Sequence, residues 1–331
     1  MYDLRRNDYD VTNSVQVSST AAVESAVRDL FQSCWPGESF DRVAKGFATF
    51  DQLFTGRLPG YHGVDTVYHD RQHSLDMTLA MARLLAGYER TSGARARFGV
   101  DRAVMGLVTS LFHDAGYIRE FDDIEHHNGA EFTLYHVSRS ARFLARFLPT
   151  IGMESWVPVA TRVVHFTGYE IKISDIQLAD DRDRKLGHLL GTADLIAQMA
   201  DRCYLEKCRD RLYLEFVLGG IAAAPGRDGS LQVRYSSGLD LLRQTPQFVR
   251  DTRAQRLEGE FEFAYRYFEP LFGGRNPYLE AIDRNLEYLH RVLRSERWPM
   301  LRRSPPLFTT EGGQLGHVRG LMVNHLKALW A

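Results

Sequence analysis

The sequence predicts an all-α fold, a helical bundle with additional N- and C-terminal helices. Apolar residues recur at three- and four-residue intervals over most of the chain, as on one buried face of a helix. No stretch of any length reads as β-rich, and no internal repeat is present. Clusters containing Pro and Gly separate the periodic stretches. The 331 residues suffice for a substantial core. A hydrophobic fraction of 44% with 25% charged residues is the balance of a globular protein.

Residues 1–20 are polar, rich in Asp, Asn, Ser and Thr, and read as a weakly ordered, flexible arm. Ala21 to Cys34 carries Val23, Val27, Leu30 and Phe31 at helical spacing, after Ser18, Ser19 and Thr20 as cap candidates. Trp35-Pro36-Gly37 ends that helix. Asp41 to Phe54 places Val43, Phe47, Phe50 and Phe54 on one side of a second helix, and Gly56 to Gly63 is a loop. Further helices are expected at Val67 to Tyr88, Val100 to Gly116, Gly129 to Leu148 and Trp156 to Phe166. Leu186 to Phe216 is one long helix or two. Ile173 to Asp183 is a polar connector. The turn cluster Ala224-Pro225-Gly226-Arg227-Asp228-Gly229 marks a soft boundary. Beyond it, Phe248 to Phe272 and Pro277 to Leu293 are helical patterns, with a last short helix at Leu321 to Trp330.

The formal net charge is −1, so the basic excess of a dedicated nucleic-acid binder is missing. Met1 to Asp10 lacks the apolar segment of a signal peptide. No apolar run reaches the roughly 18 residues that span a bilayer. The expectation is a cytoplasmic protein without a membrane partner. Cys34, Cys203 and Cys208 are too few and too scattered for a disulfide framework and read as small core residues.

Three segments carry chemistry. In Val67-Tyr68-His69-Asp70-Arg71-Gln72-His73, two histidines stand four apart and project from one face if the segment is helical. In Leu111-Phe112-His113-Asp114-Ala115-Gly116-Tyr117, adjacent His and Asp close an apolar run. Burying two ionisable groups against apolar walls is costly unless they bind each other or a ligand. Imidazole and carboxylate are both good ligands for Zn, Fe, Mn or Ni, so a divalent cation answers the problem. In Gly191-Thr192-Ala193-Asp194-Leu195-Ile196, one carboxylate sits in a small, apolar helix and can complete the donor set.

The order His, His-Asp, Asp resembles the HD superfamily of metal-dependent phosphohydrolases. Tyr68-His69-x-x-x-His73 resembles the Tyr-His-Asn-x-x-His signature of the class I cyclic-nucleotide phosphodiesterases within that group, with Asp70 where the signature has Asn. The resemblance covers about residues 65 to 220. It implies that His73, His113, Asp114 and Asp194 bind a first metal, that Asp114 bridges to a second, and that His69 is the general acid for the leaving oxygen. It also implies an HD-type catalytic domain over residues 21–223, with residues 224–331 as a helical extension packed on or beside it. Two metals would polarise a phosphoryl group and make hydroxide available at neutral pH. Histidine titrates in the range suited to protonating a departing alkoxide.

A second metal needs more ligands. Many dinuclear members add two histidines between the His-Asp and the final Asp, and His136 and His165 are the candidates, one on each intervening helix. His126 and His127 are alternates to His136, or a substrate-facing lip. One or two divalent ions (Fe, Mn, Zn, Ni or Mg) are therefore implied. Tyr117 stands where the HD-GYP branch carries Lys, which argues against a cyclic di-GMP phosphodiesterase of that type. Arg71 and Arg119, beside the metal motifs, are candidates to hold phosphate oxygens in bidentate fashion, with Tyr117 lining the substrate site.

The expected function is hydrolysis of phosphate esters, a phosphodiesterase or phosphatase acting on a cyclic or small nucleotide. The alternatives are an HD-type di-iron oxygenase and a non-catalytic nucleotide-sensing module. The C-terminal helices, with Phe248, Phe261, Tyr265 and Phe268, complete the pocket wall or form a homodimer face. The sequence leaves both open.

Overall fold

The computed structural model describes residues 5–226, 228, 230–309 and 313–330. The chain is all-α. In order, the helices are α1 (Thr20–Cys34), α2 (Asp41–Phe54), α3 (Arg71–Thr91), α4 (Val100–Phe112), α5 (His136–Phe147), α6 (Val157–Val163), α7 (Asp181–Ala200), α8 (Tyr204–Lys207) and α9 (Tyr213–Leu218). They continue with α10 (Gly238–Asp251), α11 (Pro277–Ser295) and α12 (Gln314–Trp330). Among the described residues the only sheet is a hairpin of β1 (Ala223–Pro225) and β2 (Leu231–Val233), at the turn cluster read as a soft boundary. No helix among the described residues is long and apolar enough to cross a membrane.

The bundle is built around α3, buried on all sides from Gln72 to Glu89. It packs against α1, α4, α7 and the 3-10 segment Ala264–Leu271. A helix buried all round must satisfy its polar groups internally. Arg83 does so by donating to Asp10 Oδ2 (2.7 Å) and the Tyr278 hydroxyl (2.8 Å). One hydrophobic core runs from Val17 to Leu301, so the soft boundary does not divide it.

Residues 5–19, read as a weakly ordered arm, are pinned to this core. Asp10 is fully buried and accepts from the Val15 and Ser14 backbone N–H groups (2.8 and 2.9 Å). An Asp that collects backbone donors makes its own turn, which composition does not register. Cys203 and Cys208 are free and buried, as expected of small core residues.

Several helices begin or break where a side chain takes over the backbone groups. α3 starts at Arg71, not Val67, because Asp70 is its N-cap and accepts from His73 N (3.1 Å). α5 starts at His136, not Gly129, because the Glu170 carboxylate accepts from Val137 N (2.7 Å) and Ser138 N (3.0 Å). The earlier part of that stretch is a 3-10 turn, Gly129–Phe132, closed by an Asn128/Glu131 capping box. α7 stops at Ala200, where Asn285 Nδ2 donates to the carbonyls of Met199 (3.0 Å) and Asp201 (2.9 Å).

Candidate metal centre

The end of α4, the start of α3 and the middle of α7 converge. His73 and His113 point their Nε2 atoms at each other, 3.3 Å apart. His73 Nε2 lies 3.0 Å from Asp194 Oδ1 and 3.6 Å from Asp114 Oδ2. His113 Nε2 lies 3.2 Å from Asp114 Oδ2 and 3.6 Å from Asp194 Oδ1. All four residues are buried. His73, His113 and Asp114 could hold a metal ion, since one ligand atom from each lies within 4.8 Å of the others. Asp194 faces the same point on the distances above.

The donor set fits a cation on two further grounds. Asp114 Oδ2 is buried and accepts no hydrogen bond, although two imidazole nitrogens are close. An orphaned carboxylate oxygen at this depth costs about 1–3 kcal/mol, which coordination would recover. His113 Nδ1 lies 2.9 Å from the Ser110 carbonyl, its acceptor, which leaves Nε2 as the ligating nitrogen.

Electrostatics bind the four groups to one another in the absence of an ion. Burial opposes charge on Asp114, but His113, His69 and His73 outweigh it and hold the carboxyl far below the carboxylate range. Asp194 is lowered to about 2, the two histidines overcoming the same burial. Burial likewise opposes charge on His113, and Asp114 and Asp194 drive its pKa well above the ordinary value.

His136 joins the edge of this group. Its Nε2 is 3.7 Å from Asp114 Oδ1, and its Nδ1 lies 2.8 Å from the Thr133 carbonyl, the same orienting device as at His113. His126 is held elsewhere, Nδ1 by Asp123 (3.0 Å) and Nε2 near the Tyr135 hydroxyl (3.2 Å), and His127 is exposed. Of the three, His136 is the one at the cluster. His165 sits buried in the 3-10 turn Val164–Thr167, and its Nδ1 has no partner. Among the described residues no ion pair or hydrogen bond joins it to Asp114 or Asp194.

His69 lies before α3, not on it, so its place beside His73 comes from the capped turn and not from helical spacing. Thr66 Oγ1 donates to the His69 carbonyl (2.6 Å). Glu215 of α9, fully buried, accepts from the backbone N–H of Val67 (2.6 Å) and Tyr68 (2.5 Å). Its other oxygen is 2.6 Å from His69 Nδ1. Burial opposes charge on His69, but Glu215, Asp114 and Asp194 raise its pKa above the ordinary value. Glu215 escaped the sequence reading, although a lone carboxylate in Leu214-Glu215-Phe216-Val217-Leu218 is the same signal that singled out Asp194.

The three residues expected to touch substrate are otherwise engaged. Arg71 donates to Asp51 Oδ1 and the Ser18 carbonyl (both 3.4 Å). Arg119 donates to Asp65 Oδ2 (2.9 Å) and the His126 carbonyl (3.2 Å). A guanidinium near a carboxylate pairs with it before any ligand arrives, and sequence adjacency to a motif does not show that partner. Tyr117 is buried, its ring sandwiched between His69 (4.4 Å) and His136 (4.3 Å). It fixes two imidazole planes in place of facing open space.

The C-terminal third packs against the segment that follows His165 and against α7. Arg256 Nη2 donates to the carbonyls of Phe166 (3.0 Å) and Gly168 (3.3 Å), just past His165. Phe261 packs on α7 so closely that a Cβ on Gly191 would lie 2.4 Å from its ring. Phe261, Tyr265 and Phe268 are buried within the chain, while Phe248 remains 39% exposed. Three of the four aromatics thus serve the chain's own interior.

Comparison with protein-family models, with curated proteins and with solved structures finds no match for this chain.

Proposed function

We propose that this chain is an HD-type, metal-dependent hydrolase of phosphate esters, a phosphodiesterase or phosphatase acting on a cyclic or small nucleotide. The observation that supports the reading most is the buried convergence of His73, His113, Asp114 and Asp194, with one carboxylate oxygen that accepts no hydrogen bond. His73, His113, Asp114 and Asp194 would hold a first divalent ion, with His136, 3.7 Å from Asp114 Oδ1, and His165 as the candidate donors for a second. Such an ion supplies Lewis-acid polarisation of a phosphoryl oxygen and a water of lowered pKa.

The chain's own residues account for the rest. Glu215 holds His69 through Nδ1, so Nε2 is the nitrogen left to meet substrate. As the ester P–O bond breaks, His69 gives its Nε2 proton to the departing oxygen, and the Glu215 carboxylate favours the protonated ring beforehand. Tyr117, stacked on both His69 and His136, keeps the two imidazoles in fixed planes.

Elemental analysis of protein purified without chelators tests the metal, alongside Asp114→Ala and a screen of phosphate mono- and diesters. One to two transition-metal ions per chain, lost in the variant together with ester hydrolysis, is the expected result. Protein that is metal-free and stays inactive with added Mn or Fe would refute the reading. Iron with oxygen-dependent turnover and no ester hydrolysis would replace it with the di-iron oxygenase.

A further inference from the structure

A narrow polar crevice lies beside His73. Gln72, His73 and Asp76 of α3 form one wall, and Tyr68, Gln198 and Lys207 face them. Gln72 and Asp76 are four residues apart and share a face of α3. Asp76 is 8% exposed, yet its Oδ1 accepts no hydrogen bond. Lys207 is 4% exposed, and its Nζ donates to Asp201 Oδ2 (2.6 Å) and Gln72 Oε1 (3.4 Å). An ammonium carries three N–H donors, so one remains. The Tyr68 hydroxyl donates to Gln198 Oε1 (3.1 Å). With both amide oxygens engaged, the amide N–H groups of Gln72 and Gln198 have no partner among the described residues.

The crevice therefore offers an acceptor, Asp76 Oδ1, beside donors from two amides and a lysine. Each small ligand class meets this set differently. A phosphate supplies acceptors only and would face the carboxylates of Asp76 and Asp201. An ammonium supplies donors only and would face Lys207 and the amides. An apolar group would leave every one of these atoms stranded, at a cost for each. A hydroxyl donates and accepts at once and answers both halves.

We infer that the crevice is a subsite for a hydroxyl of the substrate's alcohol portion, with Asp76 as the acceptor and Gln72, Gln198 and Lys207 as donors. His73 lines the crevice and its Nε2 lies 3.0 Å from Asp194 Oδ1 in the metal centre, which puts the crevice within one small molecule's reach of the reacting phosphate. The substrate is thus a phosphate ester of a polyhydroxylated alcohol, such as a sugar, a nucleoside or an open-chain polyol. The phosphate half of that statement rests on the proposed hydrolase reading, and the hydroxyl half stands on the crevice.

Two esters that differ only in hydroxyls test it: 2,3-dihydroxypropyl p-nitrophenyl phosphate and propyl p-nitrophenyl phosphate, with the metal-loaded full chain. The expected preference for the dihydroxy ester is about threefold to tenfold in kcat/KM, carried mainly by KM, as for an ordinary hydrogen bond. The variants are Asp76→Asn, which keeps the side chain's shape, and Asp76→Leu, which removes the acceptor. The preference should shrink in the first and vanish in the second. Equal rates for the two esters, or a preference that survives both variants, would overturn the subsite. If neither diester is turned over, the phosphodiesterase form of the hydrolase reading fails and saturation-transfer NMR with glycerol and 1-propanol decides the crevice. A glycerol signal in the wild type that falls in Asp76→Asn and exceeds that of propanol upholds the subsite. No glycerol signal, or one unchanged by the variant, rejects it.

Discussion

His69 and Asp70, adjacent in the chain, have different partners. Asp70 caps α3 through His73 N (3.1 Å), which fixes where the candidate ligand His73 leaves the helix. Asn caps as well as Asp does, so the Asn in the phosphodiesterase signature and the Asp in this chain suit the same backbone position. His69, freed from the helix, reaches Glu215 through Nδ1 (2.6 Å). If His69 is the general acid, His69→Gln should leave metal content intact and lower kcat by roughly 10²–10⁴ for an ester with an alkyl leaving group. The loss should be much smaller for p-nitrophenolate, which leaves without a proton. Parallel rates on the two leaving groups decide it, and equal losses on both would reject the role.

The site's geometry rests on how elements meet. The 3-10 turn Ala115–Tyr117, directly after Asp114, packs against the first turn of α5, which carries His136. Ser140 Oγ accepts from Gly116 N (2.8 Å), and Arg139 Nε donates to the Gly116 carbonyl (2.7 Å). A Cβ on Gly116 would lie 1.8 Å from the His136 carbonyl oxygen, a backbone atom that cannot rotate away. Gly116→Ala should therefore push α5 from α4 and cost about 1–3 kcal/mol, as overpacking does. Thermal denaturation measures the cost. Metal affinity should fall with it, because Asp114 and His136 sit on the two sides of the displaced contact. An unchanged melting temperature would show that the two elements are not locked as described.

Across the whole molecule, both ends of the chain close on α3. Asp10 from the first residues and Tyr278 from α11 meet on Arg83. Burial opposes charge on Asp10, but Arg83, Thr12 and the Val15 N–H bring its pKa down to about 2 from 3.8. A carboxyl whose folded pKa is lowered stabilises the fold above its unfolded pKa and loses that contribution as pH falls through the folded one. The contribution is roughly 2 kcal/mol, present above about pH 4 and lost toward pH 2. Arg83→Met leaves Asp10 buried without its partner and should cost about 3–5 kcal/mol at neutral pH. Adding Asp10→Asn should recover part of that. Chemical denaturation of wild type, single and double variants at pH 7 and pH 3 measures both effects. Full additivity of the two changes would show that the pair is not coupled.

Periodicity alone carried the all-α class and most of the helices, because an apolar stripe every three to four residues has one economical structure; α10 starts at Gly238, ten residues before the expected Phe248. The centre of the site was legible in part: His113 and Asp114 stand out as adjacent ionisable residues closing an apolar run, and burial in company is what such residues require, whereas His73 and Asp194 joined them through the order of motifs that resembles the HD superfamily. Helix starts were less legible, since Asp70 and Glu170 act on backbone groups that sequence alone assigns to the helix interior. Partners at long range were not legible at all. Glu215 lies 146 residues from His69, and Arg71 and Arg119 were free to face substrate until Asp51 and Asp65 took them. The same holds for Asp76, Lys207 and Arg83 on and around α3. A polar residue on a helix reads as solvated, and only tertiary packing, by burying α3 on every side, turns those residues into an interior network.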